Sequence, residues 1–341
     1  MVRAVLHRMA RVVDELTIRP ATDADRPAVL QLLSSSLGWA SDEEHAAFFA
    51  WKHDANPFGR SWAWVDEDEH AGIVGFRTFL RWRFDRPGGP VEAVRAVDTA
   101  TAPSHRGAGI FSRLTMHGLA EIKTAGVGFV FNTPNDQSLP GYLKMGWEEV
   151  GRLPVQVRPR SLWSVPRLAR SRVPAELWSL PSAAGNPADE ALSDTAAVEA
   201  LLDSQPMPRG LRTSKTPEWL RWRYVGFAPL GYRAVLLGAS VEAGIAIFRV
   251  RRRGAALECA IAEVLAPQGD ERASAHLALR ALRESGADHA LAIAVSAGRR
   301  WSGFVRAERL GPMLTWRAAS EPCLPLRRAG WALTLGDVEL F

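Results

Sequence analysis

The chain has 341 residues, 47% hydrophobic and 23% charged, with a net charge of +5, which makes it a globular protein long enough for two domains. Arginine supplies nearly all the cations, with lysine at 52, 123, 144 and 215 alone; this reads as a genome-composition signature ahead of the mark of a nucleic-acid partner. Cys259 and Cys323 make neither a disulfide framework nor a metal cluster, and no apolar run approaches about 18 residues, so a cytoplasmic protein without metal or membrane span is expected.

The start, MVRAVLHRMARVVDEL, is basic and amphipathic but lacks an uncharged apolar segment. Residues 1–15 therefore read as an N-terminal extension, an extra helix, in preference to a targeting peptide. LTIRPAT (16–22) alternates as a strand, and DADRPAVLQLLSSSL follows as a helix capped by Asp23 or Asp25. HAAFFAWKH is a second helical piece, closed by the turn NPFG. SWAWV, GIVGFRTFLRWRF and EAVRAVDTAT are strand-like runs divided by acidic or Gly/Pro punctuation. PSHRGAGIFSRL then sets glycines in front of a helix with a core stripe of Phe111, Leu114, Gly118 and Ile122. VGFVFNTP is a buried strand, SLPGYLKMGW a short helix with a turn, and a strand from Glu149 to about Arg158 closes the series.

From Pro159 to Pro208 the chain is rich in Pro, Arg, Ser and Ala, a connection with some helix of its own. The first half is then echoed in order. FFAWKHDANPFG is answered by WLRWRYVGFAPLG, AGIVGFRTFLRWR by AGIAIFRVRRRG, GFVFNTP by ALAIAVS, and LKMGWEEVG by WSGFVRAERLG. Ordered echoes imply a duplicated domain.

A helix start leaves unpaired N–H groups and a partial positive charge. Glycines there let the backbone curl and let a large anion come close. Arg106-Gly107-Ala108-Gly109 is therefore a candidate phosphate cradle, and on these residues alone a ligand-free Gly-rich turn is an equal reading.

With Asn135, Ser138, Tyr142, Lys144, Gly146 and Trp147 further on, the stretch from about Leu16 to Arg158 resembles the GNAT superfamily of acyl-CoA-dependent N-acyltransferases. The likeness is most specific from Val97 to Trp147. Ser104-His105-Arg106-Gly107-Ala108-Gly109 stands where that family writes Gln/Arg-x-x-Gly-x-Gly/Ala, with Ser104 the one departure.

The resemblance implies a mixed α/β fold: two tandem GNAT-like domains, each a central, mostly antiparallel twisted sheet flanked by helices. The expected boundaries are 16–158 for the acyltransferase domain, 159–208 for the linker and 209–341 for a degenerate second domain. It implies donor contacts from Thr99 and Thr101 on the fourth strand, from Arg106, Gly107, Ala108, Gly109 and Ile110 of the loop, and from Asn132, Asn135, Ser138 and Tyr142. It also implies a backbone N–H from about Val97–Thr101 to the oxyanion, and the Tyr142 hydroxyl as general acid toward the sulfur.

The base is open. Asp98 is the candidate on the oxyanion strand, and an anchoring role is its alternative; Glu92, His45 and His53 are further options. In the second half PQGDERASA replaces the cradle, and Asp270 and Glu271 would repel a pyrophosphate. Trp301 and Ser302 stand near the point where a tyrosine is missing. The expected reaction moves an acyl group, taken as acetyl, from acyl-CoA to a primary amine of a small molecule (an amino sugar, an amino acid or a natural-product intermediate). The alternatives are an aminoacyl-tRNA or carrier-protein thioester as donor, and a non-catalytic acyl-CoA-binding scaffold.

Overall fold

The computed structural model describes residues 16–40, 42–171, 173–293, 303–320 and 328–339. The expected N-terminal helix, Trp301, Ser302 and Cys323 lie outside these residues. Two compact units form, the first within Met1–Arg83, Val91–Glu149 and Thr315–Leu324, the second within Phe84–Pro90, Val150–Leu314 and Pro325–Phe341.

The first unit opens with β1 (Leu16–Pro20), α1 (Arg26–Leu37) and α2 (Glu43–His53). The turn before α1 is a capping box of Thr22 and Asp25, and Pro27 stands in the first turn. Asp42 caps α2 by accepting from the His45 N–H. β2 (Trp62–Asp68), β3 (Gly72–Asp85) and β4 (Val91–Thr101) follow, then α3 (Ile110–Thr124), β5 (Phe129–Asn132), α4 (Leu139–Lys144) and β6 (Glu148–Arg152). Strands β1 to β3 pair antiparallel, while β4 and β5 are parallel.

Helices cover both faces of this sheet. On one face Ile110, Leu114, Leu119 and Ile122 of α3 join Trp64, Phe79 and Val94 in a buried cluster. On the other, Val29 and Leu33 of α1 and Phe49 of α2 pack on Val65 and Phe76. Ile110 heads the stripe of α3, whereas Phe111 is partly buried against the cluster. Gly118 is required where it stands, because a Cβ there would lie 2.7 Å from the Trp64 ring.

The second unit contains β7 (Val155–Pro159), α5 (Val165–Ala169), β8 (Asn186–Pro187), α6 (Ala188–Ala191), α7 (Thr195–Asp203), β9 (Arg212–Thr213) and α8 (Pro217–Tyr224). It continues through β10 (Arg233–Leu236), β11 (Ile245–Arg253), β12 (Ala256–Leu265), α9 (Glu271–Ser285), β13 (His289–Ile293), β14 (Val305–Arg306) and the short α10 (Leu335–Val338). Its sheet runs β14-β7-β13-β12-β11-β10-β8. The β11–β12 pair is antiparallel and the β12–β13 pair parallel, with α9 between the parallel strands as α3 lies between β4 and β5. The stretch 159–208 thus supplies α5, β8, α6 and α7 to this unit.

One expectation fails. The strand read from Glu149 to Arg158 is two strands, and they join different sheets. β7 pairs with β13, while β15 (Met313–Ala318) pairs with β5 and lies beside β6. Pro154 interrupts the run between the two strands and cannot donate to a ladder.

Candidate active site

The β4–β5 pairing covers Ala93↔Phe129, Val94↔Val130 and Arg95↔Phe131. β4 runs on to Thr101 while β5 stops at Asn132, so beyond Arg95 the edge of β4 has no pairing from β5. At the next turn Gly107 and Gly109 have φ of 84° and 79°, the left-handed region that glycine enters without strain. Gly109 is the N-cap of α3, and no side chain caps this helix. A Cβ built on Gly109 would meet no atom within 4 Å. The start of α3 therefore presents open N–H groups and the positive end of a 15-residue helix to free space. That chemistry fits a pyrophosphate, and the exposed Arg106 stands beside it. The Ser104 hydroxyl is turned to His105 Nδ1 at 2.8 Å.

Several of the expected contact residues are engaged within the protein. The Thr99 hydroxyl donates to the Phe76 carbonyl, and the Thr101 carbonyl accepts from Ser36, which leaves donor contacts at these positions to the rest of the backbone. The Asn132 side-chain oxygen accepts from the Thr315 hydroxyl. Asn135 Oδ1 accepts from the N–H and hydroxyl of Ser138, each at 2.9 Å, so this pair closes the turn that leads into α4.

Tyr142 is buried between Phe111 and Trp147, with ring centroids 5.3 and 5.2 Å away. Among the described residues its hydroxyl has no hydrogen-bond partner. Arg77 of β3 is fully buried, its guanidinium 5.5 Å from the Tyr142 ring centre and 4.9 Å from that of Phe79. None of its three nitrogens has a hydrogen-bond partner, so the ring faces carry its charge.

Asp98 stands on β4 past the end of that pairing, with φ of 39°. That backbone costs a non-glycine residue about 1–2 kcal/mol. Its carboxylate is 2.7 Å from Lys52 Nζ and 2.8 Å from His53 Nε2, and the side chains of all three are nearly inaccessible. Burial pushes the carboxyl up, but the Lys52 charge and the His53 hydrogen bond outweigh it and hold Asp98 at about 2. Burial pushes His53 below its ordinary value, against the pull of Asp98. A carboxylate so clamped is a weak proton acceptor at neutral pH. Glu92 is half-exposed and paired with Arg83, and His45 bonds the cap residue Asp42, so neither joins this cluster.

No local pattern in the sequence singles out Ser61 or Arg77. A burial signal for Lys52 does exist, since it sits on the apolar run FFAWK where a solvated lysine has no place.

In the second unit the start of α9 is closed. Asp270 is its N-cap, and the carboxylate accepts from the N–H groups of Arg272 and Ala273 at 2.8 and 3.2 Å.

The first unit thus joins a mixed α/β fold to an uncapped glycine turn at a helix start and a buried tyrosine. Residues 17–150 match the acetyltransferase (GNAT) domain. No curated protein matches the sequence. Among solved structures, a conserved protein from Enterococcus faecalis V583 is similar at 13% identity and TM-score 0.65, over 90% of this chain and 73% of that one. A GCN5-related N-acetyltransferase from Anabaena variabilis ATCC 29413 is similar at 15% identity and TM-score 0.62, over 89% and 73%. One from Kribbella flavida gives 17%, 0.58, 90% and 73%. At these identities the structural likeness carries the fold. Among the described residues no helix is long and apolar enough to cross a membrane.

Proposed function

We propose that the first unit transfers an acyl group, acetyl in the simplest case, from acyl-CoA to a primary amine of a small molecule. The carrying observation is the open start of α3, with Gly109 uncapped beside the edge of β4. The N–H groups of Gly107 to Ile110 hold the donor's pyrophosphate, and Arg106 adds a screened charge. The unpaired edge of β4 beyond Arg95 supplies an N–H to the developing oxyanion. Tyr142 supplies a proton to the leaving sulfur. The second unit, in this reading a degenerate copy of the first, binds no donor because Asp270 occupies the anion position of its own helix.

Calorimetry with coenzyme A tests this. One equivalent per chain is expected, weakened at least a hundredfold by Gly109→Val and retained by Glu271→Ala. Two equivalents, or normal binding by Gly109→Val, would overturn the assignment.

A further inference from the structure

Beneath α1 and α2 lies a cavity of about 240 Å³, lined by Val29, Phe49, His53, Ser61, Phe76 and Thr78 among others. The Ser61 hydroxyl is 2.9 Å from His53 Nδ1, and His53 Nε2 is 2.8 Å from Asp98 Oδ2. The Thr78 hydroxyl on the floor donates to the Val97 carbonyl of β4, so the cavity lies one strand away from the unpaired edge. We propose that this cavity takes the acceptor's primary amine on a compact, partly apolar group, and that Ser61, His53 and Asp98 form the relay that removes its proton. The inference rests on the acyltransferase reading and assigns its missing base.

The chemistry follows from the charges. Asp98 is ionised, so it accepts a hydrogen bond and His53 Nε2 must carry the hydrogen. Nδ1 then holds a lone pair and accepts from the Ser61 O–H. Other charged groups near the ring are Lys52 of α2 and Asp54 at its C-cap, with Arg26 of α1, Arg60 and Arg81 around the cavity. Asp54 carries the ion pairs to Arg26 and Arg60, and Lys52 pairs with Asp98. The imidazole is thus uncharged at rest and faces an anion when protonated.

As the amine nitrogen bonds to the carbonyl carbon, Ser61 Oγ takes the nitrogen's proton and passes its own to His53 Nδ1. The carbon–sulfur bond breaks, its electron pair leaves on sulfur, and Tyr142 donates the proton there. Solvent takes the His53 proton and restores that of Tyr142. Asp98 is a positioning residue: it fixes the ring and stays ionised.

An activated serine reveals itself without a known acceptor. With diisopropyl fluorophosphate, Ser61 Oγ forms a bond to phosphorus, fluoride leaves, and His53 takes the proton. Mass spectrometry of the full-length protein should find the adduct on Ser61. His53→Gln, which keeps a donor toward Asp98, should slow labelling at least a hundredfold, and Gly109→Val should label like the wild type. Ser61→Ala, which removes one oxygen, should bind coenzyme A normally and lose the adduct.

Absence of a Ser61 adduct, or equal labelling of His53→Gln, overturns the relay. If His53→Gln does not fold, Asp98→Glu serves in its place with the same two outcomes. Coenzyme A calorimetry on the same samples separates the failures. Labelling without donor binding sinks the transfer reading and keeps the relay, and donor binding without labelling does the reverse.

Discussion

Helices α3 and α9 begin from nearly the same local frame and carry opposite N-caps. Each is 15 residues long. Each follows Ala-Pro, at Ala102-Pro103 and at Ala266-Pro267, and a single 3₁₀ turn after a central strand. At the N-cap of α3 stands Gly109 with no side chain to cap the helix, and at that of α9 stands Asp270 bonded to two N–H groups. An anion site at a helix start is made by leaving out a residue that stability would favour. The helix that keeps its own carboxylate there is the sturdier one, with its N–H groups already occupied.

The comparison breaks most sharply if the two caps are exchanged. Gly109→Asp should weaken coenzyme A binding about a thousandfold, since the new carboxylate both fills the cradle and repels the ligand. Calorimetry reads this, and unchanged affinity would mean that the glycines only make a turn. Next in size is Asp98→Asn, which leaves Lys52 buried without its counter-charge. A loss of roughly 3–5 kcal/mol in denaturant unfolding is expected.

The wild type should show the same interaction through pH. Its Asp98 contribution is complete above the ordinary 3.8, and it disappears as pH falls toward about 2. That is a loss of roughly 2 kcal/mol. Tyr142→Phe should slow transfer by roughly 10- to 1000-fold with donor affinity unchanged; a full rate would reduce Tyr142 to packing. The smallest effect is Asp270→Ala, about 1 kcal/mol of stability and no change in donor binding, measured by thermal melting beside calorimetry.

Local pattern carried the first unit as far as Trp147. Alternation marked β1, punctuation divided β2 to β4, a capping aspartate marked α1, the NPFG turn closed α2, and the glycines marked the start of α3. The partners of the sheet edges were not legible. Nothing in Val155–Pro159 or Met313–Ala318 says which sheet each enters, because that depends on backbone groups far along the chain. The site divides the same way. Glycines and Tyr142 sit in a motif with fixed spacing, whereas His53 and Asp98 meet across 45 residues. Asp98 could be seen as a candidate base. Its clamping by Lys52 could not, since a buried ion pair is a property of packing and leaves no trace in spacing. Asn135 and Ser138 read as ligand contacts from the motif, and the fold uses them on each other.

The crossing of β7 and β15 bears on how the protein can be cut. A gene fragment ending at residue 158 would carry β7 away from β13 and leave β5 without β15. The truncated product would have a bare strand edge beside Asn132 and an orphan strand at its own tail, both templates for aggregation. The first unit is therefore not a removable cassette. Evolution could shuffle or lose the second half only by first finding another strand to close the first sheet.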